Sequence, residues 1–315
     1  MLDSQPANGT FSGSVTATGG WYNLDIQAIS QSKVISHIRV TPVGVGEVFV
    51  IAGEANAQGI NPARSVVSAA DDRVNCVPHF NYTDTTRLPL PPQFSKLTID
   101  KTIGPHGNTA WCWSELGDLL TNRLNVPVLF YNTAWAATTV RNWRESMEQG
   151  TTTTIDNTPM PEGMPYSNLK RVLKDYVPLT GLRAVLWQQG ESEYYSNNPQ
   201  ATNYATDLKA LISRSRSDAG AAQLPWLVAR SSVDNTTSAL YPSGSYEPVT
   251  NRQNEVIQTT QQVIAGQLPI QFSYPDPVVS IFRETAHPIS KGLGYRFDIY
   301  CLVNNCVISS GTNNK

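Results

Sequence analysis

The chain has 315 residues, room for one catalytic-size domain and an appendage at roughly 100–200 residues per domain. Its 23 Lys and Arg against 25 Asp and Glu leave a formal net charge of -2, which removes any general electrostatic reason to bind nucleic acid or an anionic membrane surface. No apolar run reaches the roughly 20 residues of a membrane span, and the opening MLDSQPANGTFSG lacks the basic and apolar regions of a signal peptide.

Residues 1–45 read as a β-rich appendage, with turn and strand alternating through GTFSGSVTATGGWYNLDIQAIS and SHIRVTPVGVG. Over residues 46–315, short apolar strands alternate with helical stretches. Strands are expected at 47–52 (EVFVIA), 126–131 (VPVLFY), 183–188 (RAVLWQ), 225–230 (PWLVAR) and 269–274 (PIQFSY). Helices are expected at 109–124, 166–176, 204–218 and 251–266, with a last one at 290–303. This alternation predicts an α/β domain built on a parallel sheet covered on both faces. Ligands of such a sheet bind in the crevice at the carboxyl ends of its strands, so the residues just after each strand carry the functional question. Long loops at 60–108 and 144–165 are placed to shape the mouth of that crevice.

After the first strand comes GEANAQG, residues 53–59, whose glycines permit a tight turn with free backbone N–H groups, as a developing oxyanion requires. After the second comes NTAWAATTVRNW, residues 132–143. There Ala134, Ala136 and Ala137 keep the chain close to the cleft, and Trp135 and Trp143 offer stacking faces for a sugar ring, although most tryptophans are core residues. The third strand ends in LWQQGESEYY, where Gln188, Gln189 and Glu191 crowd a glycine, a costly place for polar groups unless they bond one another or a ligand. Near the C-terminus, RETAHPISKGLGYRF sets Glu284 three residues before His287, so that the carboxylate can orient the imidazole. The four cysteines, Cys76, Cys112, Cys301 and Cys306, lack metal-site spacing. Disulfides and buried thiols both remain open for them, including a small loop closed by Cys301 and Cys306.

In this order the four segments resemble the SGNH hydrolases, and within them the carbohydrate-esterase branch that includes sialate O-acetylesterases and acetylxylan-type esterases. That branch carries blocks like G-Q-S-N-x-Q-G, G-G-T followed by W, W-x-Q-G-E and D-x-x-H; here they stand as GEANAQG, AATTVRNW, WQQGES and ETAHP. The resemblance spans roughly residues 46–303 and implies a three-layer flavodoxin-like sandwich of about five parallel strands. It further implies hydrolysis of small acyl esters, most often acetyl groups on sugars, with no metal or organic cofactor. The partner implied is an acylated saccharide or polysaccharide. By the same resemblance the nucleophile falls on Ala55, the base on His287 and its acid on Glu284. The oxyanion donors would be the backbone N–H of Ala55, one from Ala136 or Ala137, and the side chain of Gln189. Asn56 and Glu191 would support the substrate, with Trp135 and Trp143 as its platform.

The chain departs from the family pattern in three ways. Alanine has no hydroxyl, so Ala55 cannot form an acyl-enzyme; Glu54 stands for the usual Gln and Glu284 for the usual Asp. Ala136 and Ala137 replace a glycine pair, which matters wherever the backbone demands a positive φ. Two readings of Ala55 follow. In the first, favoured by the completeness of the remaining cleft, the chain is an esterase inactivated at its nucleophile. In the second it is a naturally non-catalytic glycan-binding protein. Charged residues make up 15%, below the usual ~25%, which suits an exported bacterial protein, secreted or periplasmic, whose signal peptide is not in this sequence.

Overall fold

A computed structural model describes residues 10–60, 66–82, 88–195, 203–231, 247–266, 295–302 and 305–312. The chain opens with β1 (Thr10–Ala17), β2 (Gly20–Ser30) and β3 (Lys33–Val45), and β2 and β3 form a two-stranded antiparallel sheet of their own. The α/β part follows in the order β4 (Glu47–Gly53), α1 (Ala55–Gln58), β5 (Val74–Cys76), β6 (Ser95–Lys96), α2 (Trp113–Leu124) and β7 (Val128–Asn132). It continues with α3 (Val140–Glu148), α4 (Tyr166–Arg171), α5 (Val177–Thr180), β8 (Ala184–Gln188), α6 (Glu191–Tyr195), α7 (Tyr204–Asp218), β9 (Trp226–Val228), α8 (Glu247–Thr259) and β10 (Val263–Ala265). Of the two last strands, β11 (Tyr295–Leu302) pairs with β1 and β12 (Asn305–Thr312) with β11, in a separate three-stranded sheet.

The main sheet has the order β10-β9-β8-β4-β7-β5-β6, and only the edge strand β6 runs antiparallel to its neighbour. Five of these strands, β4, β7, β8, β9 and β10 in chain order, lie across the sheet as 2-1-3-4-5, the flavodoxin-like doubly wound order. The segment between β4 and α2 adds β5 and β6 at one edge. Because helices cover both faces, strand residues of either parity are buried. Val48, Val50 and Ala52 of β4 join the core on the side of α3, α4, α7 and α8, while Phe49 and Ile51 join the core on the side of α2. This two-sided burial explains why the strands read as unbroken apolar runs.

Four expected strands coincide with β4, β7, β8 and β9, while the one expected at 269–274 lies outside the described residues, as do Glu284 and His287. The helix expected at 251–266 ends at Thr259, and its tail turns into β10 after Gln262, which has φ 57°. A three-residue strand is too short to show its own period. The helix expected at 290–303 is corrected to strand over Tyr295–Leu302. Its sequence YRFDIYCL alternates bulky apolar with polar residues at its start, a period-two pattern that outweighs the helical reading once β1 and β12 supply partners. The helix expected at 166–176 extends to Thr180 through a π-helical turn at Val172–Tyr176. Pro178 lies two residues beyond that turn, and its lack of an N–H denies one regular helical bond there.

Candidate active site

The site lies where the strand order reverses, between β4 and its neighbours β7 and β8. Gly53 ends β4 with φ 131°, and a β-carbon there would stand 1.8 Å from the carbonyl oxygen of Gln188, so only glycine lets the two strand ends approach. The Glu54 N–H then donates to that carbonyl at 3.0 Å, and the chain turns into α1, with Gly59 closing it in the left-handed conformation. Ala55 is the first residue of α1. It and Asn56 are half-buried, whereas Gly53, Glu54, Ala57 and Gln58 are buried.

The turn after β7 is held against this one. The Trp135 N–H donates to the Gly53 carbonyl at 2.9 Å, and the Ala136 N–H donates to Gln58 Oε1 at 2.7 Å. Asn132 reaches back from β7, donating to the Ala57 carbonyl at 2.8 Å. Ala136 and Ala137 are half-buried, and Ala137 has φ 58°, a left-handed conformation that glycine adopts at lower cost. Among the described residues, no hydrogen-bond partner occupies the backbone N–H of Ala55 or of Ala137.

After β8, Gln188 donates from Nε2 to Glu191 Oε1 at 2.7 Å, and Asn56 Nδ2 approaches the same oxygen at 3.4 Å. This brings Asn56, Gln188 and the half-buried Glu191 together beside Ala55. Gln188 Oε1 is buried and has no partner among the described residues.

Beneath this rim lies a buried polar network. Oε1 of Glu54 accepts the backbone N–H groups of Gly190, Glu191 and Ser192 at 3.0, 2.8 and 3.0 Å, and its Oε2 accepts the Ser192 hydroxyl. The carboxylate thus satisfies the free donors at the start of α6. Gln189, fully buried, donates from Nε2 to the Thr138 carbonyl at 2.6 Å, to Glu193 Oε2 at 3.1 Å and to Glu54 Oε1 at 3.2 Å. Glu193 accepts the Val140 N–H at 2.6 Å, at the first residue of α3. Burial, then the charge of Glu54, push the Glu193 carboxyl up to about 8, against the opposing hydrogen bonds from Val140 and Gln189. Tyr204 and Gln253 complete the network, each donating to the Gln189 carbonyl at 2.8 Å.

On the side of β7 stands a stack of rings. His106 lies against Trp135 with centroids 3.8 Å apart and against Phe80 at 4.5 Å, and Tyr82 lies 5.1 Å from Trp135. His106 donates from Nδ1 to the Ala134 carbonyl at 2.8 Å, and burial holds its imidazole down at about 4, so the ring is neutral near pH 7.

These positions alter several expectations. Asn56 and Glu191 lie 3.4 Å apart next to Ala55, and Ala137 follows the residue whose N–H is held by Gln58 of the same helix. The amide of Gln189 faces the buried network and is fully engaged there, so it offers no donor to an oxyanion. The Ala136 N–H is likewise taken, by Gln58. Trp143 is completely buried edge-on to Trp187, with centroids 5.4 Å apart, so no sugar reaches it. Trp135 is only 6% exposed beneath its ring partners. Sequence reasoning passed over Glu193, Gln58, His106, Phe80 and Tyr82. The four-residue step from Gln189 to Glu193 was a readable signal; the contacts of Gln58 with His106 and Ala136 arise only on folding.

A doubly wound sheet with its cleft at the switch point, rimmed by the turns after β4, β7 and β8, defines an α/β protein of the SGNH-hydrolase class. The family model described as carbohydrate esterase, sialic acid-specific acetylesterase, matches residues 45–273, and the chain belongs to that family. A search of curated proteins finds no match. Among solved structures the chain is similar to a carbohydrate acetylesterase from Xanthomonas citri, with 13% identity and a TM-score of 0.54 over 94% of this chain and 78% of the other. It is also similar to a protein from Arabidopsis thaliana, at 15% identity and a TM-score of 0.48 over 76% of this chain and 96% of the other.

Proposed function

We propose that the chain is the framework of a carbohydrate O-acetylesterase whose nucleophile position carries Ala55, and that it is inactive or nearly so as written. The observation that carries this reading is the setting of Ala55. It is half-buried at the first position of α1, at the switch point, and among the described residues neither its own backbone N–H nor that of Ala137 has a partner. A serine there would attack the acyl carbonyl, the two N–H groups would hold the developing oxyanion, and water would release the acyl-enzyme. His287 would take the serine proton, oriented by Glu284; both roles come from the family pattern. Asn56 and Glu191 would position the sugar hydroxyls at the rim. An exported setting is proposed with this activity, supported by the low charged content, and fractionation of source cells checks it.

The test is Ala55→Ser, assayed on p-nitrophenyl acetate beside the unaltered chain and the double variant with His287→Ala. Turnover is expected to rise about 10³-fold or more with serine and to fall back without His287. A folded serine variant with no gain would overturn the esterase reading. A second reading, glycan binding without cleavage, is favoured by Ala137 itself, a strained alanine where the family has glycine. It would take the lead if serine restored nothing.

A further inference from the structure

The stack on the β7 side has two buried members and two open ones. His106 is 2% and Trp135 6% exposed, whereas Phe80 is 48% and Tyr82 53% exposed. What sets these two open rings apart from other exposed apolar residues is that each lies against a buried ring, Phe80 on His106 and Tyr82 on Trp135. Their foundation is rigid. His106 is clamped by its Nδ1 bond to the Ala134 carbonyl and by Gln58, whose Nε2 donates to the His106 carbonyl at 3.1 Å. The same Gln58 fixes the Ala136 N–H and lies three residues beyond Ala55 in α1. Through His106 and Gln58 the base of the stack is therefore joined to the helix that begins at Ala55. They come from the long segment between β4 and α2, which also supplies β5 and β6.

We infer that Phe80 and Tyr82, backed by His106 and Trp135, form the platform on which a pyranose ring of the substrate lies, beside the ester to be cleaved at residue 55. This rests on the carbohydrate-esterase reading for the identity of the occupant. The C–H face of a pyranose matches a flat, uncharged aromatic surface, and the buried His106 ring behind Phe80 adds no charge to it. Among the described residues, no partner reaches the buried His106 Nε2. The platform replaces Trp135 and Trp143 in the role first expected of them, since neither presents an open face.

The test is binding to the unaltered chain, which needs no catalysis. Xylohexaose, cellohexaose and N-acetylneuraminic acid serve as probes by calorimetric titration. At least one is expected to bind, and Phe80→Ala and Tyr82→Ala are each expected to weaken it about 10-fold, the upper end for one aromatic contact. Phe80→Trp retains the binding. Phe94→Ala, which removes another ring that is 53% exposed, is the control for exposed aromatics in general. If no probe binds, or if Phe80→Ala and Tyr82→Ala bind as tightly as the unaltered chain, the platform is refuted. Activity of Ala55→Ser on p-nitrophenyl acetate is read separately. Esterase without ring-dependent binding refutes only the platform; ring-dependent binding without esterase refutes only the catalytic reading.

Discussion

The side-chain amide nitrogen of Gln189 lies 3.1 Å from the Glu193 carboxylate, and both side chains are completely buried. Glu54 accepts from the same amide, so two acids share one donor in a region closed to water. A carboxyl so placed keeps its proton to higher pH folded than unfolded. Its contribution to stability is complete below the ordinary carboxylate range and is lost as pH rises through the window from 4.5 to about 8. Urea unfolding of the unaltered chain and of Glu193→Gln, compared across pH 5 to 8, should give a difference that changes by up to about 1.4 kcal/mol per pH unit. A difference independent of pH would show that Glu193 ionises alike in both states.

Glu54 has a distinct task at the start of α6. Glu54→Gln retains an oxygen for the three backbone N–H groups and removes the carboxylate that raises Glu193. It should leave stability within about 1 kcal/mol at neutral pH and bring the Glu193 window down. Glu54→Ala strands those donors and the Ser192 hydroxyl, and should cost about 3 kcal/mol or more. Equal losses in the two variants would contradict the capping role.

Ala137 holds a left-handed backbone that costs an alanine roughly 1–2 kcal/mol, and glycine gives part of this back in the unfolded chain. Ala137→Gly is therefore expected to raise the thermal midpoint, by about 0.5–1 kcal/mol in stability. A lower midpoint would mean that the alanine methyl makes contacts outweighing the strain.

His106 acts with the opposite pH sign to Glu193. Burial lowers its folded value to about 4, so the contribution is complete above the ordinary histidine range and is lost as pH falls from 6.5 to about 4. His106→Phe keeps a ring in the stack and should remove this acid sensitivity, seen as a flatter stability curve below pH 6.5 relative to the unaltered chain. Undiminished sensitivity would place the titrating group elsewhere.

The sequence was most legible where one physical cause dominated. Strands β4, β7 and β8 announced themselves because both faces are buried, and α7 kept its expected bounds because Tyr204, Leu208, Leu211 and Ile212 repeat at helical spacing on its core side. Legibility failed where structure depends on partners distant in sequence. β11 needs β1, and Gln58 needs His106 and Ala136, 48 and 78 residues away. Gln189 was placed at the site correctly but its direction was not readable. At a strand exit, residue parity decides which side of the sheet a side chain enters, and Gln189 enters the side occupied by Thr138, Glu193 and Tyr204.

The indoles of Trp143, Trp187 and Trp226 form a buried row with centroids 5.4 and 5.7 Å apart, all on one side of the main sheet. Chromophores this close couple their electronic transitions, so the near-ultraviolet circular dichroism of the folded chain depends on the mutual orientation of three rings. Conditions that loosen this side while leaving its helices formed would erase that signal and spare the far-ultraviolet band. The molecule thus carries an optical gauge of packing that is independent of its helix content.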